Sequence, residues 1–403
     1  MTKIESGSTF QPLAQAELAG FVTANSTNAR RRLLCVGGGT ACRDTAIEDV
    51  IELRLDMLNR VIDYPARDMT ITVEAGIRMT ELTRILYAEN QRLPIDVPQA
   101  EQATLGGVIA TNWSGPRRLG CGTMRDYVIG ISAIDATGRL FSAGGRVVKN
   151  VAGYDICKLL VGSRGELAII TQVTLKLRPR PETSALVELT FDSTRQVEAV
   201  LARLMNSATR PMAIEVLNPH TTLNSLVETQ SKRFLLCVGY EGAEREVRWQ
   251  VETLIAEAQP FEPRSLKSLI GTEADPAWKE LTDFVLSGEW PSSRSPLTFK
   301  ASLLPSRTME FLQLATDAGI SAKAHAGNGI VIGQLACTVT TAAQADAVLK
   351  PLSELVDSCN GSLSVLRCPS DWPITHSTNG IMAGREWSER IQQQLDPLGL
   401  FRR

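Results

Sequence analysis

A short apolar run, Leu33-Leu34-Cys35-Val36, passes without interruption into Gly37-Gly38-Gly39-Thr40. Four apolar residues stopped by glycines read as a strand ending in a loop. The far side carries no helical period. Ile51, Leu53 and Leu55 alternate, Val61 and Asp63 continue extended toward Pro65, and Ile71, Val73 and Ala75 alternate again. The loop is therefore expected to join β structure to β structure, with no helix after it. That arrangement excludes a Rossmann turn, which opens a helix at its pyrophosphate site, and the missing lysine excludes a P-loop. Two readings stay open on these residues alone: an ordinary turn, or a nest of glycine N–H groups that binds phosphate oxygens, with Thr40 adding a hydroxyl.

Glycine is concentrated further on. Residues 105–165 hold 12 of the 30 glycines, where an even spread would give roughly 4 or 5. Glycine reaches positive φ and lets a ligand approach the main chain, so the cluster means many tight turns or a ligand wrapped by backbone. Around it stand Ala103-Thr104-Leu105-Gly106-Gly107 and Thr111-Asn112-Trp113-Ser114-Gly115, whose small, hydroxyl and amide residues suit contact with a planar polar ring. Gly122-Thr123-Met124-Arg125-Asp126 and Gly162-Ser163-Arg164-Gly165-Glu166-Leu167-Ala168-Ile169-Ile170 follow. Alternation at Ile169, Val173, Leu175 and Leu177 closes the region in a strand, and Arg178-Pro179-Arg180-Pro181 marks a domain boundary, giving domains 1–182 and 183–403.

Beyond that boundary, strands are expected at 185–191, 213–218 and 234–240 with helices near 194–206 and 243–258. A second group has strands at 296–303, 319–325, 329–336 and 361–366 with helices near 306–317 and 341–357. The same strand-helix-strand-strand-helix order recurs at an offset of roughly 110 residues, which points to two α+β halves sharing one antiparallel sheet. A last helix is expected at about 384–394, before Asp396-Pro397.

The composition narrows the function. Lys plus Arg is 42 and Asp plus Glu is 44, a net charge of −2, so nothing in the charge calls for nucleic acid or anionic lipid. No apolar run reaches the length of a membrane-spanning helix, about 18 residues or more. Residues 1–10 lack a cationic segment followed by an apolar one, so the expected compartment is the cytoplasm. The eight cysteines are scattered, without metal or cluster spacing, and read as reduced thiols; a Cys359–Cys368 bridge is the lesser alternative.

The order and spacing of the glycine motifs resemble the FAD-binding domain of the vanillyl-alcohol oxidase and p-cresol methylhydroxylase (PCMH) superfamily, over residues 33–181. Ser114-Gly115-Pro116-Arg117-Arg118 and Lys149-Asn150-Val151-Ala152-Gly153-Tyr154-Asp155 are most similar to the family of FAD-binding subunits (E subunits) of bacterial glycolate oxidase. The fold class implied is α+β: a two-part PCMH-type FAD-binding domain followed by an α+β cap with an antiparallel sheet. The resemblance places Val36, Gly37, Gly38, Gly39 and Thr40 along the pyrophosphate. It sets Thr104, Leu105, Gly106, Gly107, Thr111, Asn112, Ser114 and Gly115 beside the flavin. Gly122, Thr123, Arg125, Gly165, Glu166 and Ile169 then hold the ribityl, phosphate or adenine portions. Arg117, Arg118 and Arg125 are candidates for neutralising a substrate carboxylate or the FAD phosphates, and Glu166 and Asp126 read as structural partners or FAD-adjacent groups rather than acid/base catalysts.

Two departures bear on the chemistry. Members with covalent flavin commonly carry a histidine after the glycine loop; Thr40 stands there, so noncovalent FAD is expected. Related 2-hydroxy-acid dehydrogenases often carry H-x-G-D-G-N-x-H in the cap, and the corresponding stretch is His325-Ala326-Gly327-Asn328-Gly329-Ile330-Val331-Ile332. Asparagine and isoleucine replace the acid and the second histidine, and isoleucine neither binds a metal nor takes a proton. No metal site is therefore expected, and His325 reads as a turn or buried-polar residue.

The family role implied is oxidation of glycolate to glyoxylate, together with a catalytic flavoprotein subunit and an iron–sulfur subunit. It implies no nucleic acid partner, no direct membrane insertion, and a place at the inner face of the membrane only through partners. Two alternatives stand beside it: a noncatalytic FAD-bearing assembly or electron-transfer subunit, and a self-sufficient dehydrogenase of a lactate-like 2-hydroxy acid. No catalytic residue is assigned.

Overall fold

The computed structural model describes residues 8–40, 50–145, 155–221, 223, 233–284, 295–369, 371–374 and 382–401. The chain divides into two compact units: residues 1–114, 122–180 and 383–403 form the first, and residues 115–121 and 181–382 the second.

The first unit is itself two-part. β1 (Thr9–Phe10), α1 (Gln15–Ala24), β2 (Arg32–Val36) and β3 (Val50–Arg54) make a small parallel sheet in the order β1-β3-β2. Ile51 and Leu53 alternate inward from β3 and are buried with Leu18, Val22 and Leu33, each full burial contributing about 1.5–3 kcal/mol. The loop expected to join strand to strand is described only at residues 37–40, after β2. Whether a helix intervenes falls on residues 41–49, outside the described ones.

The rest of this unit is built on an antiparallel sheet. In chain order it holds β4 (Val61–Asp63), β5 (Thr70–Glu74), α2 (Met79–Ala88), β6 (Gln91–Arg92) and α3 (Leu105–Thr111). After α4 (Arg118–Cys121), which belongs to the second unit, come α5 (Met124–Tyr127), β7 (Val128–Ile134), β8 (Leu140–Gly144), α6 (Ile156–Leu160), β9 (Ile169–Lys176) and β10 (Arg178–Pro179). The sheet order is β4-β5-β9-β7-β8, and β6 pairs with β10. Ile71 and Val73 from β5 and Val173 and Leu175 from β9 meet Leu82, Leu86, Leu105 and Ile109 in one core. At the end of β5, the buried Glu74 carboxylate accepts the Arg60 backbone N–H (2.8 Å), Nε (3.1 Å) and Nη2 (2.8 Å). That pairing fixes the strand end from which Ala75 emerges.

The second unit follows the repeat expected from its sequence. Its first half is β11 (Thr183–Phe191), α7 (Thr194–Leu204), β12 (Ala213–Leu217), β13 (Phe234–Gly242), α8 (Glu244–Ala258) and β14 (Ser265–Ile270). After α9 (Asp275–Asp283), the second half is β15 (Thr298–Ser302), α10 (Thr308–Asp317), β16 (Ser321–His325), β17 (Ile330–Gln334), α11 (Ala342–Ser358) and β18 (Ser362–Arg367). One antiparallel sheet runs β14-β11-β13-β12-β16-β17-β15-β18, so the halves mirror each other and meet at β12 and β16. Ser193 and Thr341 cap α7 and α11 by accepting backbone N–H groups of the first turn.

The contacts partition the chain differently from the linear division 1–182 and 183–403. The break at Arg180 and Pro181 lies within the Arg-Pro-Arg-Pro run. The last residues, however, return to the first unit after α12 (Met382–Leu395). Leu400 and Phe401 are buried beside Leu18 and Ile51, Leu33 N–H donates to the Leu400 carbonyl (2.7 Å), and the Asp396 carboxylate accepts the Leu400 and Phe401 N–H groups (2.8 Å each). Residues 115–121 make the opposite excursion. The seven described cysteines are free thiols.

Candidate cofactor site

A cleft in the first unit, open in part to solvent, spans about 730 Å³ of space between its walls, solvent included. One wall is Cys35 with residues 37–40, a second is Thr104, Gly106, Gly107, Ala110 and Thr111 at α3, and a third is Arg164, Gly165, Ala168, Ile169 and Ile170 at the start of β9. Leu55 and Ala75 complete the lining.

Main-chain proximity explains the glycines. A Cβ on Gly37 would land on Thr104 Oγ1, and one on Gly38 would land on the Gln102 carbonyl oxygen, so the loop lies directly against residues 102–104. Gly39 has φ +73°. The start of α3 is fixed by Leu105 N–H donating to Ile77 O (2.9 Å) and Gly106 N–H to Ala75 O (2.6 Å). At its other end, the Ile109 and Ala110 carbonyls accept Gly162 N–H (2.9 Å) and Arg164 N–H (2.7 Å). Those two bonds dock the third wall onto the second.

The residues present suit a dinucleotide with a planar ring. Arg164 is the one charged residue among those described around the cleft, placed to balance a pyrophosphate. Adjoining the lining residues in sequence, Asn112 Oδ1, Trp113 Nε1 and Ser163 Oγ are buried without a hydrogen-bond partner among the described residues. Each such orphan costs about 1–3 kcal/mol; none of the three residues is part of the cleft lining.

Of the residues expected from the sequence, Gly37, Gly38, Gly39, Thr40, Thr104, Gly106, Gly107, Thr111, Gly165 and Ile169 line this cleft together. Val36 is the buried end of β2, Leu105 is in the core, and Asn112 caps α3 in the left-handed region (φ 47°). Ser114 is the last residue before the excursion and Gly115 its first. Gly122 (φ +84°) leads into a helix cap in which the Asp126 carboxylate accepts the N–H (2.7 Å) and hydroxyl (3.2 Å) of Thr123; Arg125 is exposed. Glu166 N–H closes a turn onto Ser163 O (3.0 Å). Of the Lys149–Asp155 segment, residues 149–154 lie outside the described ones, and Asp155 caps α6.

Cys35, Leu55, Ala75, Ala110, Arg164, Ala168 and Ile170 line the cleft without having been expected. Arg164 alone carried a signal, its place between Gly162 and Gly165. Arg117 is not at this cleft: it pairs with Glu241 in the second unit.

A second group of functional side chains lies within the second unit. The β16–β17 register makes Ala326-Gly327-Asn328-Gly329 a hairpin turn, and His325, ahead of it, is buried opposite Glu215 of β12. His325 Nδ1 lies 2.6 Å from Glu215 Oε1, and the Lys323 ammonium lies 3.2 Å from Oε2, a charge contact without aligned hydrogen-bond geometry. Lys323 Nζ also donates to the Leu281 carbonyl (2.5 Å). Burial pushes the His325 imidazole below its ordinary value against the pull of Glu215. Burial alone would raise the Glu215 carboxyl, but His325 and Lys323 outweigh it and hold it below the usual range. Facing a carboxylate, Nδ1 carries the hydrogen and donates it to Glu215 Oε1. Burial pushes the neighbouring Cys237 thiol well up.

Residues 9–144 match the family model described as FAD binding domain. Glycolate oxidase subunit GlcE of Escherichia coli (strain K12) is 38% identical over 125 residues, 31% of this chain and 36% of that protein. Glycolate oxidase subunit GlcD of Bacillus subtilis (strain 168) is 31% identical over 189 residues, 46% and 40% of the two chains. A D-lactate dehydrogenase of Archaeoglobus fulgidus is 35% identical over 185 residues, 44% and 40%. The chain spans less than half the length of each of these curated relatives. Among solved structures, an alkyldihydroxyacetonephosphate synthase superposes with TM-score 0.69 at 18% identity, covering 98% of this chain and 76% of the other, a likeness of fold.

Proposed function

We propose that this chain, which carries an FAD-binding domain of the PCMH type, is the FAD-binding subunit of a complex that oxidises a small 2-hydroxy acid. In this reading the substrate is glycolate, the product is glyoxylate, and the other members are a catalytic flavoprotein and an iron–sulfur subunit. The names of the Escherichia coli and Bacillus subtilis relatives support the assignment. The observation that carries it is a glycine-built cleft in one unit, together with a cap whose motif histidine is already engaged by Glu215.

Bound FAD would supply hydride acceptance from the substrate α-carbon. The chain's own part is to hold it. Residues 37–39 give the main-chain approach, Arg164 balances the phosphates, and the Thr40, Thr104 and Thr111 hydroxyls lie on the cleft lining. Thr40 provides no imidazole for a covalent bond, so attachment is noncovalent. A divalent cation finds no ready place at His325, because Lys323 already puts an ammonium against Glu215. That favours a second reading, an assembly or electron-transfer subunit with no turnover of its own. No described helix is long and apolar enough to cross a membrane; membrane association, in this reading, comes through partners from the cytoplasmic side.

The test is to purify the chain alone and with its partners, and to assay glycolate and lactate with an artificial acceptor. The expected result is a yellow protein that releases FAD on denaturation and turns over only within the complex. Turnover by the isolated chain at the rate of the complex would replace this reading with a self-sufficient dehydrogenase, and a colourless, FAD-indifferent chain would end both.

A further inference from the structure

An asparagine followed by glycine is prone to close on itself, because glycine places no side chain in the way of its own nitrogen. The sequence holds three such pairs, Asn328-Gly329, Asn360-Gly361 and Asn379-Gly380; the last lies outside the described residues. The other two belong to the second unit, and at both the fold demands glycine. A Cβ on Gly329, which sits at φ +66°, would land on the Leu303 carbonyl oxygen, and one on Gly361 would land on the Ser302 carbonyl oxygen. Neither amide can therefore be shielded by a larger residue.

The two pairs differ at the glycine nitrogen. Gly361 N–H donates to the Val356 carbonyl (2.9 Å), and Asn360 is held in the left-handed region (φ 53°) with its own N–H on Asp357 O (3.1 Å). Gly329 N–H has no hydrogen-bond partner among the described residues. Its turn is held by the atoms on either side: Asn328 N–H donates to His325 O (3.0 Å), and Leu303 N–H to Gly329 O (2.8 Å). The Asn328 side-chain amide is also without a hydrogen bond among the described residues. Asn328 is partly exposed beside the exposed Gly327, which admits water, whereas Asn360 is the more exposed of the two asparagines. Solvent access alone would favour reaction at Asn360, and the unengaged nitrogen favours Asn328. We propose that Asn328 is a site of spontaneous deamidation, which the turn after β16 promotes over Asn360. The Gly329 nitrogen passes its proton to hydroxide and attacks Asn328 Cγ; the N–Cγ bond forms, the Cγ–Nδ2 bond breaks, and ammonia leaves with a proton from water. Water then opens the cyclic imide: at Cγ to give aspartate, or at the main-chain carbonyl to give isoaspartate. Either product adds one negative charge to a chain of net charge −2, in the turn that follows His325. Isoaspartate also lengthens the main chain of that turn and pulls on the Leu303–Gly329 bond. At Asn360 the Gly361 N–H must first leave Val356 O, and a backbone bond of ordinary net worth slows closure about two- to twelvefold.

The test holds the full chain, folded, in mildly alkaline buffer. Samples digested over time are followed peptide by peptide by mass spectrometry for conversion of amide to acid, and isoaspartate is detected with an isoaspartyl methyltransferase. A parallel sample in denaturant gives the unfolded rates. In the folded chain Asn328 should convert at least about twofold faster than Asn360, and in denaturant the two rates should converge. Asn328→Gln, whose longer side chain disfavours the ring, should remove the product at 328 and leave the Asn360 rate unchanged. Conversion of Asn360 as fast as or faster than Asn328 in the folded chain overturns the inference, because exposure then outweighs the free nitrogen. The same preference for Asn328 in denaturant also overturns it, because the flanking sequence and not the turn then sets the rate.

Discussion

Gly38 is where an added methyl group is least tolerable in the proposed FAD cleft. Its Cβ would overlap the Gln102 carbonyl oxygen, lie 2.5 Å from the carbonyl carbon and sit 3.1 Å from Ala103 Cα. These are main-chain atoms, so no rotamer relieves the clash. At Gly37 the same methyl meets the Thr104 side chain, which can rotate. Gly38→Ala should therefore cost about 1–3 kcal/mol as overpacking. At about 2–4 °C per kcal/mol for a unit of this size, melting of the first unit falls by roughly 2–12 °C. The strain is relieved by moving residues 37–40 away from residues 102–104, which separates two walls of the cleft. If the same energy is withdrawn from binding, the FAD Kd rises about 5- to 150-fold, at tenfold per 1.4 kcal/mol. Flavin fluorescence titration and melting with and without FAD measure both effects for Gly37→Ala and Gly38→Ala. Wild-type affinity and melting in Gly38→Ala, or a larger loss in Gly37→Ala, would refute the reasoning.

Acid should weaken the second unit. His325 and Glu215 both titrate lower in the folded state than their ordinary values of 6.5 and 4.5, so the unfolded chain binds more protons and stability is lost as pH falls below each value in turn, at most about 1.4 kcal/mol per pH unit per proton. Denaturant unfolding between about pH 7.5 and 5, the window that brackets the ordinary imidazole value, should show this slope, and His325→Gln should flatten its upper part; an unchanged slope in the variant counts against the buried pair. Gly20 is exposed within α1, and the space that a Cβ would enter there is open to at least 4 Å. It should accept alanine with a gain of about 0.5–1 kcal/mol and unchanged FAD affinity, and a lower melting temperature would contradict the helix geometry.

Apart from β14, the strands of the second unit were legible because each is long enough to show its period and is bounded by turn residues. The offset between its halves was legible for the same reason. β14 and α9 were not: β14 is an edge strand whose exposed positions carry no apolar run, and α9 is a nine-residue helix between irregular segments. The return of Leu400 and Phe401 to the first unit rests on two apolar residues and on backbone bonds to a strand more than 360 positions away, which no local pattern encodes. In the cleft, positions requiring main-chain approach announced themselves as glycine. Leu55, Ala75, Ala168 and Ile170 are ordinary apolar residues whose convergence is a tertiary event, and Arg164 takes a left-handed conformation (φ 56°) without the glycine that usually signals one.

The cap motif shows why a departure can be read from sequence while its replacement cannot. Asn328 and Ile332 removed the acid and the second imidazole in plain view, but the group that engages His325 is Glu215, in the other half of the repeat. Strands β12 and β16 occupy equivalent places in the two halves and pair with Val216 opposite Ala324, so Glu215 and Lys323 are equivalent positions carrying opposite charge. The seam thereby places opposite charges together in a fully buried setting: the carboxylate is bonded to the imidazole and in charge contact with the ammonium. Removing any one leaves a buried charge or donor behind, at a cost above that of replacing the group together. The three are coupled, and a double replacement of Glu215 and Lys323 by apolar residues should be milder than the sum of the single changes.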